Sequence, residues 1–352
     1  MKILYFSRAY TPHDYRFLSA IVENGHKTFF LPLENKKPSE RRPLPKNVRQ
    51  LSGSLKEVIA KIKPDLIHAG PLTDCGYQVA KSGFHPFIAM SWGSDILWEA
   101  ERSSIARKRA GLSLGQADLV IGDCQSVKTA ALKMGVSKER IVTFPWGVDL
   151  EKFQPKGDDG GLRSKLGWQA KFVILHLRAW ESLYDPITVI RAFVKAAREN
   201  PKLRLLMPGS GSLQTKVKRE VEKTEMKDRV HFPGQIYQKE LPNYFRAADI
   251  YLSASLSDGS SVSLMEALAC GVPALVSDIP GNREWVKPGG QGWLFPVKNE
   301  VRLAELILVA SASRELKEMG IRSRKTAEQR ANWNKNKKLL NEVYKLAWER
   351  QQ

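Results

Sequence analysis

The stretch Ser257-Asp-Gly-Ser-Ser-Val-Ser-Leu-Met-Glu-Ala-Leu-Ala-Cys-Gly-Val-Pro273 carries the densest chemistry in this sequence. A Gly-Ser turn feeds a short helix that Gly271 ends. Unpaired backbone amides at such a helix start form an anion site suited to a diphosphate or to sugar hydroxyls. Two carboxylates accompany it, Asp258 before the helix and Glu266 within it, eight residues apart. Glu266 lies among Leu264, Met265, Ala267, Leu268 and Ala269, where a carboxylate is costly to bury without a partner, and a ribose diol is one such partner. The other reading is a solvent-facing glutamate on an ordinary helix.

Elements that place these groups can be read from the alternation of short apolar runs with amphipathic stretches, the pattern of parallel sheets built from βαβ units. Strands are expected at 3–6, 28–31, 66–68, 87–90, 119–121 and 141–144. A second set is expected at 172–177, 203–207, 230–232, 250–253, 274–276 and 293–295. The fold class is therefore α/β, with two Rossmann-like parallel-sheet domains: 1–158, ending in the Gly and Asp cluster Lys156-Gly-Asp-Asp-Gly-Gly161, and 159–328. Residues 329–352 form a C-terminal helix expected to pack back on the first domain, with Trp333, Tyr344 and Trp348 spaced for one apolar stripe. In open parallel sheets ligands bind beyond the carboxyl ends of strands. The residues found just after strands are Arg8 and Arg16, Trp92-Gly-Ser-Asp95, Trp146-Gly-Val-Asp149, Arg178, Pro208-Gly-Ser-Gly211 and Ser257-Asp-Gly-Ser260.

At 352 residues, with 42% hydrophobic and 26% charged, the chain suits two globular domains and not a disordered segment. The N-terminal Met1–Phe17 meets Arg8 and a Tyr-Thr-Pro turn too early for a signal peptide, and no run reaches the roughly 18 apolar residues of a membrane span. Three dispersed cysteines without C-x-x-C spacing point to a reducing cytoplasm. The formal charge of +19 favours anionic partners. Lys36, Lys37, Arg41, Arg42, Lys46 and Arg49 cluster in a Pro-rich loop, and Arg107-Lys108-Arg109 lies on an expected helix. Each is a solvated face or a contact to an anionic membrane surface. Nucleic-acid motifs are lacking. His68 and His176 sit in apolar strands as core residues, no spacing suggests a metal site, and Ser91, Ser257 and Ser260 lack a G-x-S-x-G elbow.

The spacing of Asp258 and Glu266, continuing through Gly271-Val-Pro273 and Asp278-Ile-Pro-Gly-Asn-Arg-Glu284, resembles the signature of the family 4 retaining glycosyltransferases. These have the double-Rossmann fold called GT-B. The resemblance runs through Pro64-Asp-Leu-Ile-His68, Trp92-Gly-Ser-Asp95, Ala117-Asp-Leu-Val-Ile121, Gly147-Val-Asp-Leu-Glu-Lys-Phe153, Pro208-Gly-Ser-Gly211, Ala248-Asp-Ile250 and Trp333. It implies a nucleotide diphosphate sugar as donor substrate, a glycan or lipid-linked acceptor, retention of configuration, and no cofactor or metal. By the same resemblance Glu266 holds the ribose. Asp258 with the amides of Gly259, Ser260, Ser261 and Val262 faces the sugar and diphosphate, and Arg178 neutralises the leaving group, which needs preorganised positive charge. Asp95 joins the catalytic set. Gly209, Gly234, Tyr184 and Arg16 join the donor contacts, and 232–236 lies near the base.

Four positions depart from that pattern. Asp258 stands where the family has Glu. Leu183 and Tyr184 occupy the place of a Lys, Thr11-Pro-His-Asp-Tyr-Arg16 replaces a Gly-Gly loop, and Trp92 replaces a His. A divergent acceptor site follows, with Arg8 and Arg16 expected to supply some of the missing positive charge. The rival readings are a nucleotide-sugar epimerase of the same fold and a non-catalytic basic binding protein.

Overall fold

The computed structural model describes residues 1–34, 40 and 42–350. They form two compact units, one of Met1–Pro145 with the segment from Asn334 onward, the other of Trp146–Trp333. Strands of the first unit are β1 Lys2–Ser7, β2 Lys27–Pro32, β3 Val48–Gln50, β4 Leu66–Gly70, β5 Phe87–Met90, β6 Leu119–Gly122 and β7 Ile141–Thr143. Those of the second are β8 Phe172–Leu175, β9 Leu203–Leu206, β10 Val230–His231, β11 Ile250–Ser253, β12 Ala274–Ser277 and β13 Gly292–Phe295. Among the helices are α1 Pro12–Glu23, α2 Leu55–Ile62, α3 Tyr77–Ser82, α4 Ala100–Arg102, α5 Ser104–Gln116, α6 Gln125–Lys133, α7 Leu162–Lys165 and α8 Pro186–Glu199. They continue with α9 Gln214–Glu222, α10 Leu241–Arg246, α11 Val262–Ala269, α12 Pro280–Arg283, α13 Glu300–Ala312, α14 Leu316–Arg330 and α15 Trp333–Glu349.

Both sheets are parallel throughout, in the orders β3-β2-β1-β4-β5-β6-β7 and β10-β9-β8-β11-β12-β13. A parallel sheet covered on both faces needs continuous apolar strands, and Ile3–Phe6, Leu66–Ala69 and Val173–Leu175 are each buried without interruption. The strand order reverses between β1 and β4 in one sheet and between β8 and β11 in the other. At such a switch point the flanking loops leave in opposite directions and open a crevice at the carboxyl edge. Every strand expected from the apolar runs is present within two residues of its ends. The sequence missed β3, a polar Val-Arg-Gln edge strand too short to show a pattern.

The first unit is completed by α15, which buries Leu340, Val343, Tyr344 and Ala347 at helical spacing. Tyr344, wholly buried, brings its hydroxyl within 2.7 Å of His68 Nδ1 on β4. His26 Nε2 meets Asn341 Oδ1 at 3.2 Å. Burial pushes His68 down to about 3, so it is a neutral core residue.

The domain boundary differs from the expected one at residue 158. The segment from Trp146 to Pro155 belongs to the second unit, because Val148 exchanges backbone hydrogen bonds with Ala331 and Trp333 at 2.7 and 3.1 Å. Arg324 Nη1 also donates to Leu150, Phe153 and Ala269 carbonyls at 3.3, 2.8 and 2.8 Å. Gly147, at φ +72°, lies so close to this strand pair that a Cβ would stand 2.7 Å from the Ala331 oxygen. The Trp146-Gly-Val-Asp149 turn is thus a structural joint, with Trp146 buried and Asp149 capping the next turn through the Glu151 and Lys152 amides.

Tyr344→Phe removes one hydrogen bond from a wholly buried imidazole whose Nε2 already has no partner. Its unfolding free energy in urea should fall by about 1–3 kcal/mol. An unchanged midpoint and slope would contradict this role for the pair.

Candidate functional site

In the second unit Arg178 follows β8 and the loop 254–261 follows β11, the two strands at the switch point. Arg178 Nη2 donates to Asp258 Oδ2 at 2.6 Å, and Nη1 donates to Ser261 Oγ at 2.7 Å and Ser263 Oγ at 3.3 Å. The Tyr184 ring centre lies 4.0 Å from the guanidinium carbon, a cation–π arrangement on the lost-lysine position. The Leu256 amide donates to the Leu183 carbonyl at 2.8 Å and ties the two loops together. Arg178 and Asp258 side chains are only 11% and 18% exposed. Burial alone would lower the Arg178 pKa, but Asp258 and then Tyr184 reverse this and hold it firmly protonated. Burial raises the Asp258 pKa above the usual carboxylate range, against the opposing pull of Arg178, the Gly259 amide and the Ser261 hydroxyl.

This cluster sits at the start of α11. Ser261 caps the helix by accepting from the Leu264 amide at 3.4 Å, and Val262 begins it. Ser260 is buried with its hydroxyl accepting from Trp285 Nε1 at 3.0 Å. Glu266 is buried within α11 at 5% exposure, which decides against the solvent-facing reading. Two glycines fix the surroundings. A Cβ on Gly281 would stand 2.4 Å from the Gly259 oxygen and 2.5 Å from that of Asp258, so α12 underlies the Asp258 loop by direct backbone contact. A Cβ on Gly320 of α14 would stand 2.4 Å from the Gly271 oxygen, so α14 braces the end of α11 equally closely.

Gly209 (φ +121°) donates its amide to Gly234 (φ +78°) at 2.8 Å, and a Cβ on Gly209 would stand 3.1 Å from the Arg178 carbonyl. These two expected donor contacts therefore lie together beside the guanidinium loop. Sequence reasoning missed Ser263 and Tyr251, whose hydroxyl oxygens are 2.8 Å apart. The available signal was Ser263 itself, a hydroxyl two places after the cap in a helix whose only other polar residue is Glu266. His176 is a core residue, its Nδ1 3.0 Å from the Leu252 carbonyl, pushed down to about 4 by burial.

In the first unit a cavity of about 190 Å³ opens at the other switch point, lined by Ser7, Arg8, Ala9, Thr11, His13, Pro71, Trp92, Ser94 and Glu99. Arg8 does not stand there as an uncompensated cation: its Nε donates to Asp74 Oδ2 at 2.7 Å, and Nη2 binds the same oxygen. Arg16, half-buried on α1, is not among the lining residues. Asp95, expected in the catalytic set, is wholly buried. It accepts from the amides of Leu72, Trp92 and Ile96 at 2.8, 3.2 and 2.9 Å and from Ser91 Oγ at 2.7 Å. Its carboxylate fastens the loops leaving β4 and β5.

Of the basic loop, Lys36, Lys37 and Arg41 lie outside the described residues. Arg42 is paired with Glu40 at 2.5 Å and lies over the Tyr15 ring at 3.7 Å. Arg107, Lys108 and Arg109 are on α5 and exposed. Among the described residues no group of three or more His, Cys, Asp or Glu side chains could hold a metal, and no helix is long and apolar enough to cross a membrane.

The family model described as glycosyl transferases group 1 matches residues 161–345, and a glycosyl transferase 4-like model matches residues 2–126. An alpha-monoglucosyldiacylglycerol synthase of Streptococcus pneumoniae is 30% identical over 172 residues, which are 47% of this chain and 39% of that protein. A UDP-Gal:alpha-D-GlcNAc-diphosphoundecaprenol alpha-1,3-galactosyltransferase of Escherichia coli is 30% identical over 171 residues, 47% of this chain and 43% of the other. The chain thus spans less than half the length of both relatives. HepE of Anabaena, crystallised with UDP, aligns at a TM-score of 0.82 and 20% identity over 98% of this chain and 100% of that one. The likeness shows the fold, GT-B.

The contact beneath the Asp258 loop gives a stability prediction with a built-in control. Gly281→Ala forces two backbone carbonyls aside and should lower unfolding free energy by about 1–3 kcal/mol. Gly115→Ala, in a helix with nothing within 4 Å of the added methyl, should be neutral or stabilising by up to about 1 kcal/mol. Urea titrations of both variants check the pair of signs; equal effects would contradict the account.

Proposed function

Because the chain belongs to the glycosyl transferases of group 1, we propose that it moves a sugar from a nucleotide diphosphate sugar, held around Arg178 and the start of α11, to an acceptor hydroxyl. The observation that carries this reading is the nearly buried Arg178 guanidinium, bonded to Asp258, Ser261 and Ser263 at the carboxyl edge of the second sheet. A diphosphate brings more negative charge to Arg178 than one carboxylate does, so it displaces Asp258, which then turns to the hydroxyls of the sugar. Amides at the start of α11 add donors to the phosphate oxygens. Glu266 takes the ribose diol, a partner for its buried carboxylate. The donor is a UDP-sugar in this proposal, supported by the UDP bound to HepE.

Transfer proceeds with retention of configuration. The bond from the anomeric carbon to the phosphate oxygen breaks, the acceptor oxygen bonds to the same face of that carbon, and the acceptor proton passes to the departing phosphate oxygen. The protein positions the partners and stabilises the growing charge on the leaving group. Arg178 and the helix amides supply that stabilisation, so no metal or other cofactor is required.

The transferred unit is a hexosyl group and the acceptor a lipid-linked or polysaccharide chain of the cell envelope. Support comes from the diacylglycerol and diphosphoundecaprenol named in the two relatives. A cytoplasmic position against the inner face of the cell membrane accords with α5. There Ile105 and Leu112, 64% and 37% exposed, share one helical stripe with Lys108 and Arg109, an arrangement that favours an anionic lipid surface. An epimerase would need no acceptor and a basic binding protein no donor; product analysis with and without acceptor separates all three.

Thermal stability in the presence of UDP, GDP and ADP tests the donor site. UDP at a hundred times its dissociation constant should stabilise the wild type by about 2.7 kcal/mol. Arg178→Ala and Glu266→Ala should each lose most of that response, and EDTA should leave it unchanged. A wild type that responds to no nucleotide would overturn the proposal, and loss of the response in EDTA would overturn its metal-free form.

A further inference from the structure

We propose that Tyr251 is a positioning residue of the donor site: its buried hydroxyl, acting through Ser263 and Ser261, directs a hydrogen bond at whichever anion lies against Arg178. That anion is Asp258 before the nucleotide arrives and the diphosphate afterwards. The inference rests on the group-transfer reading above and adds a residue that stands behind the contacts it names.

Tyr251 starts from a rigid place. It lies on β11, between β8 and β12, with its backbone in register with Leu175 on one side and Ala274 on the other. The side chain is wholly buried, its ring 6.4 Å from that of Phe245. Its hydroxyl reaches Ser263 Oγ at 2.8 Å, and Ser263 Oγ lies 3.2 Å from Ser261 Oγ. Arg178 Nη1 donates to both serines, at 2.7 Å to Ser261 and 3.3 Å to Ser263. The Ser261 hydroxyl also bonds Asp258. Three hydroxyls therefore form a row from the middle of the sheet to the ion pair.

The charges decide which way the protons of that row point. A guanidinium only donates and an ionised carboxylate only accepts. Ser261 takes the shorter bond from Arg178, so its one proton goes to the carboxylate. Ser263 is left to donate to Ser261, and the Tyr251 phenol, a stronger acid than either alcohol, donates to Ser263. Each donor in such a row polarises the next. The phenol thus strengthens the last hydroxyl as a donor, and a strand buried on both sides holds the row in place. A diphosphate that displaces Asp258 meets this O–H already oriented, which is the preorganisation that a leaving group gathering charge requires. Without the phenol, the two serines lose the donor that orders them.

Calorimetric titration of the full chain with UDP, joined to a phosphorus NMR titration of bound UDP against pH, tests this without knowledge of the acceptor. Tyr251→Phe keeps the ring and removes the hydroxyl. It should weaken UDP binding by roughly three- to tenfold. It should also move the second ionisation of the bound terminal phosphate to higher pH, because a dianion with weaker hydrogen bonds holds its proton more readily. Ser263→Ala should do the same. The double variant should bind no more weakly than Ser263→Ala alone, because Tyr251 acts through that serine. Unfolding midpoints measured without nucleotide separate folding from binding in each variant. A Tyr251→Phe chain that binds UDP as the wild type does, an unmoved phosphate ionisation, or a double variant whose losses add overturns the inference. If the wild type itself binds no UDP, it is the group-transfer reading that fails.

Discussion

The nearly buried ion pair between Arg178 and Asp258 is the constraint around which the site of the second unit is built. A guanidinium that is 11% exposed cannot be left without a partner; removing one member of such a buried pair typically costs about 3–5 kcal/mol. The surrounding structure is built to keep the pair at the sheet edge. Ser261 and Ser263 take the second guanidinium nitrogen, Tyr184 lies against its face, and the Leu256 to Leu183 hydrogen bond joins the loops that carry the two charges. Gly281 lets α12 press directly under Asp258, and Gly320 lets α14 press on the end of α11. The same contacts that make the pair tolerable in the fold also hold the guanidinium against the start of α11. In the proposed reaction a leaving diphosphate gathers its charge there.

The first unit uses the same switch-point topology, with an arginine again paired to an aspartate. Its switch point carries one arginine held by Asp74, with Glu99 nearby. The unit is closed by α15, whose Tyr344 reaches His68 inside the sheet. That contact links residues 276 apart in sequence and ties the C-terminal helix to β4. The chain's large positive charge is displayed in part as exposed cations on α5.

Much of this was legible in the sequence, for identifiable reasons. Parallel strands buried on both faces read as unbroken apolar runs, so their order along the chain and the α/β class followed directly. The Ser257–Pro273 stretch stood out because a carboxylate and a Gly-Ser turn interrupt apolar surroundings. Polar edge strand β3 left no such trace. The boundary near residue 158 was misplaced because Gly and Asp clusters mark turns, while the actual division depends on hydrogen bonds between Val148 and residues 331–333 that no local pattern encodes. Asp95 looked catalytic because a carboxylate after a strand has the same spacing whether it meets substrate or the amides of its own loop. Arg8 looked like spare charge because its partner Asp74 lies on a different loop, 66 residues away.

A crystal structure of the chain with UDP tests the central claim most directly. The account requires the diphosphate to contact Arg178 and the amides at the start of α11, the ribose to contact Glu266, and Asp258 to have left the guanidinium. A nucleotide bound elsewhere, or bound while Arg178 and Asp258 keep their 2.6 Å contact, would contradict it.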